Sequence, residues 1–232
     1  MLEIDSVDVY YGRSQALNHF SVSVGPNEIV AILGRNGVGK STLVHTAMGF
    51  IKPTDGKISL SGKDVRGRTP EYIFRHGLSL MPQGHRVFRS LTVGETLLLA
   101  TRLSQPDQTW NIDRILNRFP ILHDRWNQLS ETLSGGEQQI ISMARTLLGN
   151  ANIVMFDEPS EGLAPAIAKS FSEICLELKQ EGRGILLVEQ RVQYALNIAD
   201  RVLVMSRGAS VFEGDPGALS GRADLTERYL AL

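Results

Sequence analysis

The 232 residues carry 24 Lys plus Arg against 25 Asp plus Glu, a formal net charge of -1, with 42% hydrophobic and 21% charged residues, a balance that gives no basis for general attraction to nucleic acid. That length buries a substantial core and fits one large domain or a domain with an inserted lobe. Apolar runs such as Ile153 to Phe156 fall far short of the ~20 residues of a membrane helix, Met1 to Asp5 has no basic segment leading into an apolar one, and the single cysteine, Cys175, cannot form an internal disulfide.

From Leu2 to Val9 apolar and polar residues alternate, and Phe20, Val22 and Val24 repeat the alternation before Gly25-Pro26-Asn27, which predicts two strands of an antiparallel flap. Tyr10-Tyr11-Gly12 lies between them. A tyrosine beside a flexible glycine suits stacking on a purine base and also suits packing at a sheet rim, and local sequence leaves both open. Ile29 to Leu33 has the unbroken apolar character of a buried parallel strand. It runs into Gly34-Arg35-Asn36-Gly37-Val38-Gly39-Lys40-Ser41-Thr42 and then a helical segment, Lys40 to Met48, with Gly49 as its stop. That spacing is the Walker A phosphate-loop pattern. Glycines let backbone N–H groups curl around phosphate oxygens, Lys40 reaches the β- and γ-phosphates, Ser41 ligates Mg²⁺, and the helix N-terminus adds positive potential.

A short strand and turn, Lys57 to Gly62, precede Thr69-Pro70-Glu71, an N-cap followed by proline at the first helical position, with Gly77 ending the helix. Leu78 to Met81 reads as a further buried strand delivering Pro82-Gln83 at its C-terminal edge, the side where parallel sheets present ligand-binding groups. The Gln83 amide there either contacts Mg²⁺ or a positioned water, or is solvated. From Gly84 to Asn150 strands give way to helical spacing, which marks an inserted lobe. Thr92-Val93-Gly94-Glu95 is a capping box opening a helix through Leu103; a second helix spans Ile112 to Phe119, ahead of Pro120. Ser134-Gly135-Gly136-Glu137 opens a third, with Ile140, Ile141, Ala144, Leu147 and Leu148 on one face. Two glycines leave its first N–H groups accessible to phosphate.

Ile153 to Phe156 followed by Asp157-Glu158 is an apolar strand ending in paired carboxylates. In a phosphate-loop protein that is Walker B, Asp157 holding Mg²⁺ and Glu158 polarising the attacking water. Pro165 to Glu181 predicts a helix stopped by Gly182, with Cys175 on its apolar stripe as a packed thiol; strand Ile185 to Val188, Glu189-Gln190 and another helix follow. Arg201 to Glu213 folds about Arg207-Gly208 as a hairpin, and short helices finish the chain.

In order and separation, the phosphate loop, Gln83, Leu133-Ser134-Gly135-Gly136-Glu137 and Ile153 to Glu158 closely resemble the ATP-binding subunits of ABC transporters, over nearly the whole chain. Leu-Ser-Gly-Gly-Glu discriminates, because phosphate-loop kinases and GTPases lack it. The resemblance implies an α/β fold: a P-loop ATPase core with a mostly parallel sheet from 1–83 and 151–232, an N-terminal antiparallel β flap, and the helical lobe 84–150. It implies ATP and Mg²⁺ as cofactors and a head-to-tail pair of ATPase subunits, each ATP clamped between the phosphate loop of one and the signature helix of the other. Tyr11 becomes the adenine-stacking residue; Gly34, Asn36, Gly37, Gly39, Lys40, Ser41 and Thr42 bind phosphate; Ser41, Gln83 and Asp157 serve the metal. Glu158 becomes the general base, with Lys40, Gln83 and Gln190 assisting, while Ser134, Gly135 and Gly136 hold the partner's nucleotide.

Two positions depart from the family pattern. The switch position after strand Ile185 to Val188, usually histidine, is Gln190, whose amide donates a hydrogen bond but carries no imidazolium charge. Ala164 stands where an aspartate is usual. Both departures, with the compact length, resemble the second ATPase subunit of importers for branched-chain amino acids and related solutes such as urea or short amides, and the lack of glycine from Leu122 to Leu133 leans the same way. The implied partners are a sister ATPase subunit or a second copy, membrane permease subunits contacted through Gly84 to Leu103 (including Arg86, Phe88 and Arg89), and indirectly a solute-binding protein, with no nucleic acid. The implied location is the cytoplasmic face of the membrane, held there by the permease. Phe88 alternatively packs into the lobe. The alternative function, an ATP-sensing module with little turnover, draws on Gln190 and is opposed by Glu158.

Overall fold

The computed structural model describes residues 1–84, 87–104, 108–162 and 165–230. Leu2–Tyr11 (β1) and Ser14–Val24 (β2) form the antiparallel flap, with Phe20, Val22 and Val24 buried as their alternation predicts. β1 is less regular: Ser6 takes a φ of 51° and the register with β2 shifts, so the strand is bulged. Ile29–Leu33 (β3), apolar on both sides, lies in the interior of a second sheet. Lys40–Ala47 (α1) leaves the loop after it, and Asp55–Leu60 (β4) and Lys63–Asp64 (β5) complete the flap in the order β2-β1-β4-β5.

Pro70–Arg75 (α2) starts where Thr69 caps it, its hydroxyl accepting from the Tyr72 N–H, and Leu78–Met81 (β6) returns the chain to the second sheet. Val93–Arg102 (α3) and Gly135–Leu148 (α6) both open with complete capping boxes, Thr92/Glu95 and Ser134/Glu137. Between them lie Ile112–Arg118 (α4) and Pro120–Asp124 (α5). α5 departs from the expectation that the helical run ends before Pro120, since proline at a first helical position lacks only an N–H that would be unpaired anyway. Ile153–Asp157 (β7), Pro165–Gln180 (α7), Gly184–Glu189 (β8), Val192–Leu196 (α8), Arg201–Ser206 (β9), Ala209–Gly214 (β10) and Pro216–Ser220 (α9) follow. The sheet order is β10-β9-β3-β8-β7-β6, parallel throughout except for β10 on the edge.

Because successive side chains of a strand face opposite ways, this sheet feeds two cores. Val30, Ile32, Met155, Leu186 and Val188 join the flap and α1 in one. Ile29, Ala31, Leu33, Phe156 and Leu187 face Phe171 and Cys175 of α7, and that cluster runs on through Ile141 and Leu97 to Trp110 and Leu122. The helical segment therefore shares its core with one face of the sheet. Truncating a fully buried member such as Leu187 to alanine would cost ~2–5 kcal/mol. At the junction, Asn150 accepts the Trp110 N–H at 2.8 Å and donates to its carbonyl at 2.8 Å, while the Arg114 guanidinium lies 3.8 Å over the Trp110 ring and pairs with Glu177 and Glu181. Among the described residues no helix is long and apolar enough to cross a membrane.

Candidate active site

Lys40 holds the phosphate loop closed. Its side chain is 3% exposed, and Nζ donates to the carbonyl oxygens of Gly34 at 2.8 Å and Arg35 at 3.1 Å, while pairing with Glu158 Oε1 at 3.1 Å. These bonds satisfy a buried ammonium that would otherwise be costly to desolvate. Glycine is required in the same loop by close approach: a Cβ on Gly34 would lie 2.7 Å from the Met205 carbonyl oxygen, and one on Gly39, whose φ is 116°, 2.6 Å from that of Ala16.

Asp157 ends β7, and its Oδ1 accepts from the Ser41 hydroxyl at 3.4 Å. Glu158 follows in the left-handed region at φ 49°, a conformation that costs a non-glycine residue ~1–2 kcal/mol. Its N–H, donated to the Val188 carbonyl at 2.8 Å, helps hold the turn against that strain. Gln83, brought in by β6, donates from Nε2 both to Glu158 Oε2 at 2.8 Å and to Glu161 Oε2 at 2.9 Å. Lys40, Glu158, Gln83 and Glu161 thus form one chain of hydrogen bonds across the C-terminal ends of β3, β7 and β6. Glu161 was not singled out from the sequence, since an acidic residue in a turn after Walker B carries no local signal of its partner.

Lys40, Gln83 and Glu158, but not Asp157 or Glu161, border a cavity of about 440 Å³ that also takes in Tyr11, Asn36, Gly37, Gly39, Ser41 and Thr42. Tyr11 is 55% exposed and its hydroxyl stands 3.5 Å from Thr42 Oγ1, so its ring is accessible beside the loop. One wall was not foreseen. It consists of Ser14 to Ala16 together with Arg207 and Gly208, the turn of the β9–β10 hairpin. The Gly208 N–H donates to the Val38 carbonyl at 2.8 Å and its carbonyl accepts from the Asn18 N–H at 2.9 Å, stitching phosphate loop, hairpin and flap together.

The ABC transporter family model matches residues 17–161, across the phosphate loop, the Ser134 helix and Asp157-Glu158. This chain belongs to the ABC transporter family. It is 38% identical over 231 residues to the high-affinity branched-chain amino acid transport ATP-binding protein BraG of Pseudomonas aeruginosa, covering 99% of both chains. The relatives include an export protein: the lipopolysaccharide export system ATP-binding protein LptB of Haemophilus influenzae is 28% identical over 99% of this chain and 97% of its own. A crystal structure of an ABC transporter ATP-binding cassette in its ADP conformation superposes with a TM-score of 0.84 at 27% identity, covering 98% of this chain and 97% of the other. The chain is accordingly an ABC ATPase with a nucleotide-binding cassette fold.

Within this ABC ATPase, Ser134, Gly135 and Gly136 do not line the Lys40 cavity. Ser134 and Gly135 are exposed, and the Ser134 hydroxyl donates to Glu137 Oε2 at 2.7 Å while accepting the Glu137 N–H at 3.3 Å. Those bonds from Ser134 hold the Glu137 carboxyl below its ordinary range. Gln190 is likewise outside the cavity: its side chain is exposed and makes no hydrogen bond to the described residues. Ala164 and Arg86, singled out above, lie outside the described residues. The neighbour of Gln190, Glu189, is buried, and burial pushes its carboxyl above the ordinary range despite N–H groups from Ser160, Arg191 and Gln190. Burial also raises the Cys175 thiol strongly, consistent with a packed and unreactive side chain.

Proposed function

We propose that this chain is the ATP-hydrolysing subunit of an importer for branched-chain amino acids or a related small solute such as urea or an amide, acting at the cytoplasmic face of a membrane through a permease. The convergence of Lys40, Ser41, Gln83 and Glu158 on one cavity, with Asp157 hydrogen-bonded behind Ser41, supports hydrolysis, and 38% identity to BraG over 99% of both chains supports the solute class.

Tyr11 stacks on the adenine and the glycine-rich loop cradles the phosphates through Gly34, Asn36, Gly37, Gly39 and Thr42. Lys40 exchanges its carbonyl and Glu158 partners for β- and γ-phosphate oxygens, which frees Glu158 to take a proton from the attacking water. An all-oxygen donor set of one carboxylate, Asp157, and one hydroxyl, Ser41, fits Mg²⁺, and these two residues, with Gln83 from the end of β6, would hold the ion. When bound, that ion neutralises charge developing on the phosphates. The Gln190 amide donates a hydrogen bond to the γ-phosphate, without the charge a histidine would bring. Ser134, Gly135 and Gly136 serve the nucleotide of a partner, either a sister ATPase subunit or a second copy, with the phosphate displacing Glu137 as acceptor of the Ser134 hydroxyl.

Residues 84–150 act as the lobe that passes closure of the pair to the permease. A mostly apolar cavity of about 650 Å³ opens between the end of α1 and α3, lined by Phe50, Phe74, Leu80, Phe88, Leu99 and Leu103. Phe50 is 60% and Leu103 61% exposed, and Phe88 sits over the Arg145 guanidinium at 5.1 Å. Exposed apolar side chains concentrated in one concave patch mark a protein contact. A permease segment docks there, and a solute-binding protein delivers cargo on the far side. The test is uptake of labelled leucine, urea and acetamide by vesicles containing the reconstituted complex. ATP-dependent accumulation of one of them is expected, and accumulation of none overturns the solute assignment. Phe50→Glu with Leu103→Glu should abolish co-purification with the permease while nucleotide binding persists.

A further inference from the structure

Glu189 ends β8 with a side chain only 1% exposed, and among the described residues no cation forms a salt bridge with it. Both carboxylate oxygens are instead occupied by backbone. Oε1 accepts the Ser160 N–H at 3.0 Å, and Oε2 accepts the N–H groups of Gln190 at 3.2 Å and Arg191 at 3.3 Å. The Arg191 guanidinium returns across the gap to the Ser160 carbonyl at 3.4 Å. Two loops are therefore tied together by one side chain: the turn that carries Glu158, two residues before Ser160, and the loop that begins at Gln190. An apolar residue would fill a buried position without the desolvation a carboxylate suffers, so the charge is accounted for by what it grips.

We propose that Glu189 is a positioning residue for hydrolysis, its carboxylate clamping the Glu158 turn to the Gln190 loop so that base and γ-phosphate donor are held in a fixed relation. The inference rests on the roles proposed above for Glu158 and Gln190. Both oxygens are needed because they serve different loops. A glutamine has one acceptor oxygen, and its NH₂ turned toward backbone N–H groups repels them, so Glu189→Gln keeps the volume and releases one loop.

The experiment uses the full chain in its reconstituted transporter. E189Q should lower kcat about 10- to 100-fold with KM for ATP within about twofold, since misplacement of a base by a fraction of an ångström acts on the chemical step. Nucleotide binding and the unfolding midpoint should stay close to wild type, and Glu189→Asp, which retains two acceptor oxygens, should recover part of the rate. Adding Gln190→Ala to E189Q should cost little more, because the amide is already misplaced. A wild-type kcat in E189Q, a loss of kcat matched by equal losses of nucleotide affinity and folded protein, or full additivity with Gln190→Ala overturns the proposal. Glu158→Gln is the control: if it leaves hydrolysis intact the underlying assignment of the base is wrong, whereas its inactivation beside an unimpaired E189Q removes only the clamp. Should E189Q not fold, amide exchange in the wild-type chain decides. Slow exchange at Ser160, Gln190 and Arg191 together supports the clamp, and fast exchange at either loop refutes it.

Discussion

Two helix starts of this chain, after Gly39 and after Ser134, both rich in glycine, behave differently. At the first, Lys40 is buried and its donors are already taken by Gly34, Arg35 and Glu158. At the second, Ser134 and Gly135 face solvent and the hydroxyl is occupied only by a local capping box with Glu137. In the role proposed for it, the first start would take up a nucleotide by displacing interactions that link three strand ends, Lys40 with Glu158 and Glu158 with Gln83. In the role proposed for the second, a nucleotide would displace one carboxylate, that of Glu137. The two starts do not share a cavity, which accords with the head-to-tail pair proposed above.

The largest effect should come from Lys40→Ala, which deletes the buried donor. Phosphate release should fall at least ~10²–10³-fold, and unchanged turnover would show that the first start does not grip the triphosphate. Glu158→Gln should come next, slowing hydrolysis ~10²–10⁴-fold while ATP still binds and drives pairing; loss of nucleotide binding itself would contradict its role as base. Ser134→Ala sharpens the contrast. It should lower turnover of the pair without weakening ATP binding by the mutated chain, and remove about 1 kcal/mol of helix capping.

Acid tests the capping boxes. Glu137 and Glu95 both lie below their ordinary value of 4.5, held there chiefly by Ser134 and Thr92 respectively. A depressed carboxyl stabilises the fold fully above the unfolded value, and that stability is lost as pH falls through the lower folded value. Thermal unfolding midpoints should therefore drop below pH 4.5, and the double variant Glu95→Gln, Glu137→Gln should flatten that decline. The smallest change is expected from Gln190→His, which should leave turnover within about tenfold of wild type or raise it, because an imidazole adds a donor of the same reach. A collapse would give the amide a specific role.

Much of this contrast was legible in the residues. Gly39-Lys40-Ser41-Thr42 after an apolar pentapeptide, and Ser134 with Glu137 three positions on, are local patterns whose geometry is set within one turn of helix, and the helices start where those patterns place them. Cys175 among Phe171, Ile174 and Leu178 likewise followed from helical periodicity and is fully buried. What periodicity and capping cannot encode is which distant loops meet. Glu161 beneath Gln83, the Arg207-Gly208 turn against Val38, and Glu189 between Ser160 and Gln190 join residues brought together only by strand order and register. The local chain determined the two helix starts proposed to bind phosphate because backbone dihedrals and nearest-neighbour hydrogen bonds suffice to form them. The tertiary structure alone decided how their charges are paired, because burial and the crossing order of β3, β7 and β8 set those distances.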